Sequence, residues 1–189
     1  MKIINSDLKH SGKFLEIYVD TAKTDSGKEV KWERCSRKNN TKAVMIVPYH
    51  ITEKKFVMIS EYRIPIQGRE LGFPAGLIDK ENESVEDVIK RELKEETGLD
   101  LKEIITISPM VYSSSGMTDE AISIAYVLVD GKVSDKFLEG SEDIKPFLAD
   151  KTDLQFFFDS PDINWGAKAW TICYSILNPN PFNLEVSFN

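Results

Sequence analysis

The chain has 189 residues, 41% of them hydrophobic, and carries 24 Lys and Arg against 31 Asp and Glu, for a formal charge of −7. This composition supports one folded domain with room for a small appendage and excludes a disordered chain. The negative balance argues against a general nucleic-acid or membrane-surface binder, because such proteins present basic surface to phosphates.

The opening stretch MKIINSDLKHSGKF has no apolar leader segment, and no later run reaches membrane-spanning length. Two cysteines, Cys35 and Cys173, show no metal spacing, so a reduced, cytoplasmic protein is expected. His10 and His50 have no obvious partners, which leaves a Ser-His-Asp, Cys-His or His-based zinc site without support. KFLEIYVDTAKTDSGKEVKWERCSR reads as two strands around a turn at Asp25–Gly27. Lys38–Asn40 is a polar break, and a boundary there predicts an N-terminal β subdomain over 1–39 and a main domain over 40–189.

KAVMIVPYHI and KKFVMISEYR read as a Val- and Ile-rich hairpin, and RELGFPAGLID as a strand running into a loop. Residues 85–97 read as a helix. EIITISPMVYSS and AISIAYVLVDG follow as strands, then TDLQFFFDSP as a short helix and NWGAKAWTICYSILN as a longer one. Strands dominate without a regular βαβ repeat, so the expected class is α+β with a mixed sheet. The final NPNPFNLEVSFN reads as a tail with no assigned role.

The helix over 85–97 carries the chemistry. Ser84 and Asp87 form a capping signal at its start and Gly98 supplies the stop. With about 100° per residue, Val85, Val88, Ile89 and Leu93 make an apolar stripe, and Glu92 and Glu96 fall inside it, with Glu95 on its edge. Arg91 can pair with Asp87 and Glu95, and Lys90 with Glu86, but Glu92 and Glu96 have no cation at helical spacing. A charged surface helix would not place these two acids among its apolar residues. A site built from inward carboxylates suits a hard cation such as Mg²⁺, which completes its shell with water and substrate phosphates.

GLIDKENESVEDVIKRELKEETGL resembles the Nudix box, G-x5-E-x7-R-E-U-x-E-E-x-G-U with U apolar, at Gly76, Glu83, Arg91, Glu92, Leu93, Glu95, Glu96, Gly98 and Leu99. Six residues rather than five separate Gly76 from Glu83, an extra residue that a loop can absorb. YRIPIQGRELGFPAGLID, SSGMTDE, GSEDIKPFLA and KEVKWERCSR are similar to stretches of the ADP-ribose pyrophosphatase branch, with Ser115 standing where many relatives have proline.

The resemblance implies an α/β/α sandwich with a mixed sheet, plus a small N-terminal antiparallel β subdomain that makes a swapped homodimer. It implies metal held by Glu92, Glu96 and the Ala75 carbonyl, with Glu95 as ligand or immediate neighbour, and Mn²⁺ able to replace Mg²⁺. Gly76, Glu83 and Arg91 become scaffold of the box. A general base is implied on the late acidic loop, with Glu142 the first candidate and Glu139 the second, and Glu95 as a further catalytic carboxylate. Trp32, Glu33 and Arg37 would meet adenine, Arg63 the diphosphate with Arg69 as a further candidate, and Glu120 ribose or metal. The expected reaction is hydrolysis of ADP-ribose to AMP and ribose 5-phosphate. Another nucleoside diphosphate sugar is the alternative substrate, and a ligand sensor without catalysis the alternative class. No nucleic acid or membrane partner is expected.

Overall fold

The computed structural model describes residues 1–80, 82–138, 140 and 142–181. Three antiparallel strands open the chain: β1 (Lys2–Ser11), β2 (Leu15–Lys23) and β3 (Glu29–Arg37), in the order β1-β2-β3. β2 and β3 are the two strands read from the sequence. β1 is not visible there because all ten of its residues are exposed and no polar–apolar alternation marks a buried face. It is defined by its ladder to β2.

The rest forms a mixed sheet of nine strands among the described residues. Its centre is β4 (Lys42–His50), parallel to β10 (Ala121–Asp130), which pairs antiparallel with β8 (Asp100–Ile107) and briefly with β9 (Val111–Tyr112). The side chains of β4 alternate between two cores, as successive strand residues must. Val44 and Ile46 pack with Val88, Ile89 and Leu93 of α1 (Val85–Glu92) and the turn after it. Met45 and Val47 pack with Leu154 of α2 (Lys151–Asp159) and Ala169 and Cys173 of α3 (Ala167–Leu177). One sheet between helices on both faces is an α/β/α sandwich. No helix among the described residues is long and apolar enough to cross a membrane.

A split in the sheet positions the site. β4 and β5 (Lys55–Arg63) meet across a turn, as the hairpin pattern predicts, but share only the pairs Tyr49↔Phe56 and His50↔Lys55. Beyond them β4 takes β7 (Ala75–Ile78) as its partner over Lys42–Met45. β5 takes β6 (Gly68–Gly72) on one side and β11 (Ile144–Ala149) on the other. The divergence opens a cleft whose walls include Met45 from β4 and Ile59 from β5.

Several elements differ from their sequence reading. β11 lies in a segment read as an acidic loop; Pro146 and Lys145 break its apolar pattern, and its pairing to β5 makes it a strand. Asn164 and Trp165 form a two-residue strand, β12, beside β6, and α3 begins after Gly166. The tail from residue 182 onward lies outside the described residues. His50 is a buried structural residue: its Nδ1 accepts from the Glu53 N–H at 3.2 Å, and its Nε2 lies 2.9 Å from the Gly131 carbonyl.

Candidate active site

α1 starts where its sequence says. Ser84 accepts from the Asp87 N–H, and the Asp87 carboxylate accepts in turn from the Ser84 backbone. The helix does not stay regular. After Glu92 the chain widens into one π-helical turn, Leu93–Thr97, and closes on Gly98 at φ 74°. A side chain at 98 would need that left-handed backbone and would also meet Ser134 at 2.9 Å, so both conformation and space call for glycine. Widened turns of this kind concentrate at functional sites.

Glu92 and Glu96 point inward, at 6% and 4% exposure. Burial pushes the Glu92 carboxyl up to about 7 against the pull of Arg91, and burial with the nearby Glu92 charge pushes Glu96 up to about 9. Glu96 accepts a hydrogen bond from the Ala75 N–H at 3.2 Å. Gly76 is what lets Glu92 approach β7: a Cβ there would sit 1.9 Å from Glu92 Oε1. Any side chain at 76 therefore displaces the Glu92 carboxylate.

Arg91 ties the motif together. Its guanidinium donates to Glu83 at 2.9 Å, to Glu92 at 2.5 Å, to Glu95 at 3.2 Å and to the Leu77 carbonyl at 3.2 Å. The Arg91–Glu92 contact is between neighbours in sequence, so helical spacing does not reveal it. Glu83 stays below the ordinary carboxylate range because Arg91 bonds it. The extra residue before Glu83 leaves that contact intact.

The cleft has a volume of about 540 Å³. Glu92, Glu95, Arg91, Ala75 and Gly76 lie on one wall, and Glu61, Arg63, Glu70 and Glu142 on another, with Arg37 and Glu120 at the side of the N-terminal sheet. Arg37 Nε bonds Glu120 at 2.6 Å. Burial works against the Glu120 charge, but Arg37 leaves its carboxyl lowered overall. Arg63 bonds Glu61 at 2.7 Å and approaches Glu70 at 4.0 Å.

Trp32 is elsewhere. It is 60% exposed, donates from Nε1 to the Gly116 carbonyl at 3.0 Å, and lines a separate hollow of about 220 Å³ with Arg34, Tyr112 and Ser115. Glu33 lines neither space. The segment Ser115–Glu120 runs from one space to the other, with Glu120 reaching the main cleft. Glu139 lies outside the described residues. Arg69 is not on the cleft wall.

Glu61, Glu70, Lys80 and Lys168 also line the cleft and escape a reading by motif. The signal for Glu61 and Glu70 is register: they face each other across β5 and β6. Burial, with Glu70 and Glu142 nearby, raises the Glu61 carboxyl against the pull of Arg63.

A NUDIX domain model matches residues 39–160, about two thirds of the chain. The chain belongs to the NUDIX domain family. It is similar to the ADP-ribose pyrophosphatase of Bacillus subtilis, 29% identical over 123 residues that cover 65% of this chain and 63% of that one. It is also similar to the ADP compounds hydrolase NudE of Escherichia coli, 40% identical over 83 residues covering 41% of this chain and 43% of that one. The matches thus span less than two thirds of either relative. A crystal structure of an ADP compounds hydrolase superposes with a TM-score of 0.72 at 24% identity, covering 97% of this chain and 98% of that one, which establishes the shared fold. Within the family the chain is a Nudix pyrophosphohydrolase of the ADP-ribose pyrophosphatase-like branch.

The buried pair makes stability depend on pH. Folded Glu92 and Glu96 keep protons that the unfolded chain gives up near 4.5, so their contribution is full below that value and is lost as pH rises through about 7 and about 9. Asp20 and Glu83, held low by Arg34 and Arg91, act oppositely and lose their contribution in acid. In EDTA, the melting temperature should fall steadily from pH 6 to pH 9. A flat profile by circular dichroism over that range would contradict the burial of the pair.

Proposed function

We propose that the chain hydrolyses the diphosphate of ADP-ribose, giving AMP and ribose 5-phosphate, with a divalent metal ion bound at α1. The observation that carries this reading is the inward Glu92 at the wall of a cleft that also holds Arg37, Arg63 and Glu142, with the buried Glu96 bonded to the Ala75 N–H of that wall. The name of the Bacillus subtilis relative supports the substrate.

The donor set fits a hard cation. It offers carboxylate and carbonyl oxygens without His or Cys. Among the described residues no three Asp, Glu, His or Cys side chains converge as a ready-made cage. Mg²⁺ binds through one or two carboxylates and takes its remaining ligands from water and phosphate. Glu92, Glu96 and the Ala75 carbonyl would hold the ion, with Glu95 beside it, and Mn²⁺ would substitute. The bound ion supplies neutralisation of phosphate charge and a more acidic water.

The chain's own residues do the rest. Arg63, braced by Glu61, binds diphosphate oxygens through charge-assisted hydrogen bonds. Glu142 takes the proton of the attacking water as its oxygen bonds one phosphorus. The bridging P–O bond breaks, and the electron pair leaves on the other phosphate. Arg91 holds Glu83, Glu92 and Glu95 in place. Glu120, oriented by Arg37, is in reach of the ribose side of the cleft. Glu139 remains a second candidate for the base by its position in sequence. A small nucleotide, rather than a nucleic acid, suits a chain of charge −7.

Residues 1–39 are proposed as a dimerisation subdomain and 40–189 as the hydrolase domain. The small sheet exposes Ile3, Leu8, Phe14, Leu15 and Trp32, more apolar surface than a lone three-stranded sheet leaves to water. In a homodimer, Trp32 and Glu33 of one copy would meet the adenine end of a substrate bound by the other. Sedimentation velocity should give twice the 21.5 kDa chain mass; a monomer at micromolar concentration would sink the dimer and the role of Trp32 with it.

The decisive assay follows AMP release from ADP-ribose, ADP-glucose, GDP-mannose and NADH, with Mg²⁺ or with EDTA. ADP-ribose should be turned over fastest, only with metal, and Glu96→Gln should lower kcat/KM by at least about 100-fold, since an ion's charge stabilisation is worth several kcal/mol. Preference for another nucleotide sugar would keep the chemistry and move the substrate. Binding of these compounds without turnover would overturn the enzyme reading.

A further inference from the structure

Arg69 stands on β6 beside the cleft-facing Glu70 but is itself absent from the cleft wall. Each of its three guanidinium nitrogens nonetheless donates. Nε donates to Ser60 Oγ at 2.9 Å, and Nη2 donates to the Ser60 carbonyl at 2.5 Å and to the Asp143 carbonyl at 3.1 Å. Nη1 donates to the Asp143 carboxylate at 2.8 Å. The Tyr62 N–H donates to the same Asp143 carbonyl at 3.0 Å. Both the carboxylate and the carbonyl of Asp143 are thereby fixed to β5 and β6.

Asp143 is the last residue before β11, whose pairing begins with Ile144 opposite Glu61. Asp143 turns to Arg69, and Glu142, one residue earlier, lines the cleft with Glu61, Glu70 and Glu92. The point at which the chain leaves the rigid sheet is thus one residue from Glu142. The Arg69–Asp143 pair is partly exposed, and pairs of that kind contribute little to global stability. Its geometry, a guanidinium fork on one residue's carboxylate and carbonyl together, fixes direction more than it adds stability.

We propose that Arg69 is a positioning residue for the reaction: through Asp143 it sets the direction from which the Glu142 carboxylate enters the cleft. The inference rests on the reading of Glu142 as the general base.

The test compares Arg69→Ala, Arg69→Lys, Asp143→Asn, Glu142→Gln and the double variant Arg69→Ala/Glu142→Gln. Each is assayed for kcat and KM on ADP-ribose with Mg²⁺ across pH, alongside its melting temperature. Displacing a reacting group by about 1 Å costs on the order of 100-fold, so Arg69→Ala should lower kcat by roughly 10- to 100-fold with little change in KM. Its melting temperature should stay close to that of the parent. Arg69→Lys should recover part of the loss, because an ammonium reaches the Asp143 carboxylate without the fork. The double variant should be no slower than Glu142→Gln alone, since residues acting as one unit are not additive. Asp143→Asn keeps the carbonyl contacts and serves if Arg69→Ala fails to fold; it should show a smaller kcat loss of the same kind.

An unchanged kcat in Arg69→Ala, a loss that only tracks melting temperature, or additive losses in the double variant would overturn the inference while leaving Glu142 as base. Full kcat in Glu142→Gln would remove the base itself and the inference with it, and that single variant tells the two failures apart.

Discussion

A carboxylate taken out of water keeps its charge only beside a counter-charge, and otherwise takes up a proton. Glu92 has Arg91 as a partial counter-charge; among the described residues Glu96 has only the Ala75 N–H. Much of the surrounding architecture answers to these two groups. Gly76 has no side chain because Glu92 occupies that space. The π-helical turn widens the helix between Glu92 and Glu96, and Leu93, buried between them, pins the helix to the core formed with Val44 and Ile46. Arg91 gathers Glu83, Glu92 and Glu95 around one guanidinium, which limits the repulsion that three neighbouring acids would otherwise generate.

The sheet supplies the other half. Because β4 and β5 part after two residue pairs, the polar ends of β5 and β6 face the box across open space rather than across a hydrogen-bonded ladder. Charged groups from distant parts of the chain then share one cleft: Arg37 at the end of β3, Arg63 at the end of β5, Glu120 at the start of β10 and Glu142 just before β11. Each sits at or beside a strand end, where a rigid element hands over to a loop, and there a side chain is both anchored and free to meet a ligand.

How much of this was legible in the sequence depended on how local the signal was. The capping box at Ser84 and Asp87, the stop at Gly98 and the inward phase of Glu92 and Glu96 are written within one helical segment, and the structure agrees with all of them. The alternation in β4, apolar on both faces, marks a strand buried between two helical layers. Contacts that depend on tertiary register were not legible. Glu61 meets Glu70 only through the β5–β6 ladder, and Arg69 meets Asp143 across 74 positions. β1 left no trace because a strand with no buried face has no periodicity to read. The Arg91–Glu92 contact was hidden by the rule that sequence neighbours on a helix point apart, which a long guanidinium bending back along the helix evades.

The central claim is that Glu96 is held buried, at a cost to the empty fold, so that a divalent cation can be bound there. Thermal unfolding at pH 8 of the parent and of Glu96→Gln, each with EDTA and with Mg²⁺ or Mn²⁺, tests it directly. Without metal, Glu96→Gln should melt higher than the parent, because the amide fills the same space with no proton to take up on folding. With metal, the parent should rise and the variant should not. A variant that melts lower without metal, or gains as much from the ion as the parent does, would contradict the account.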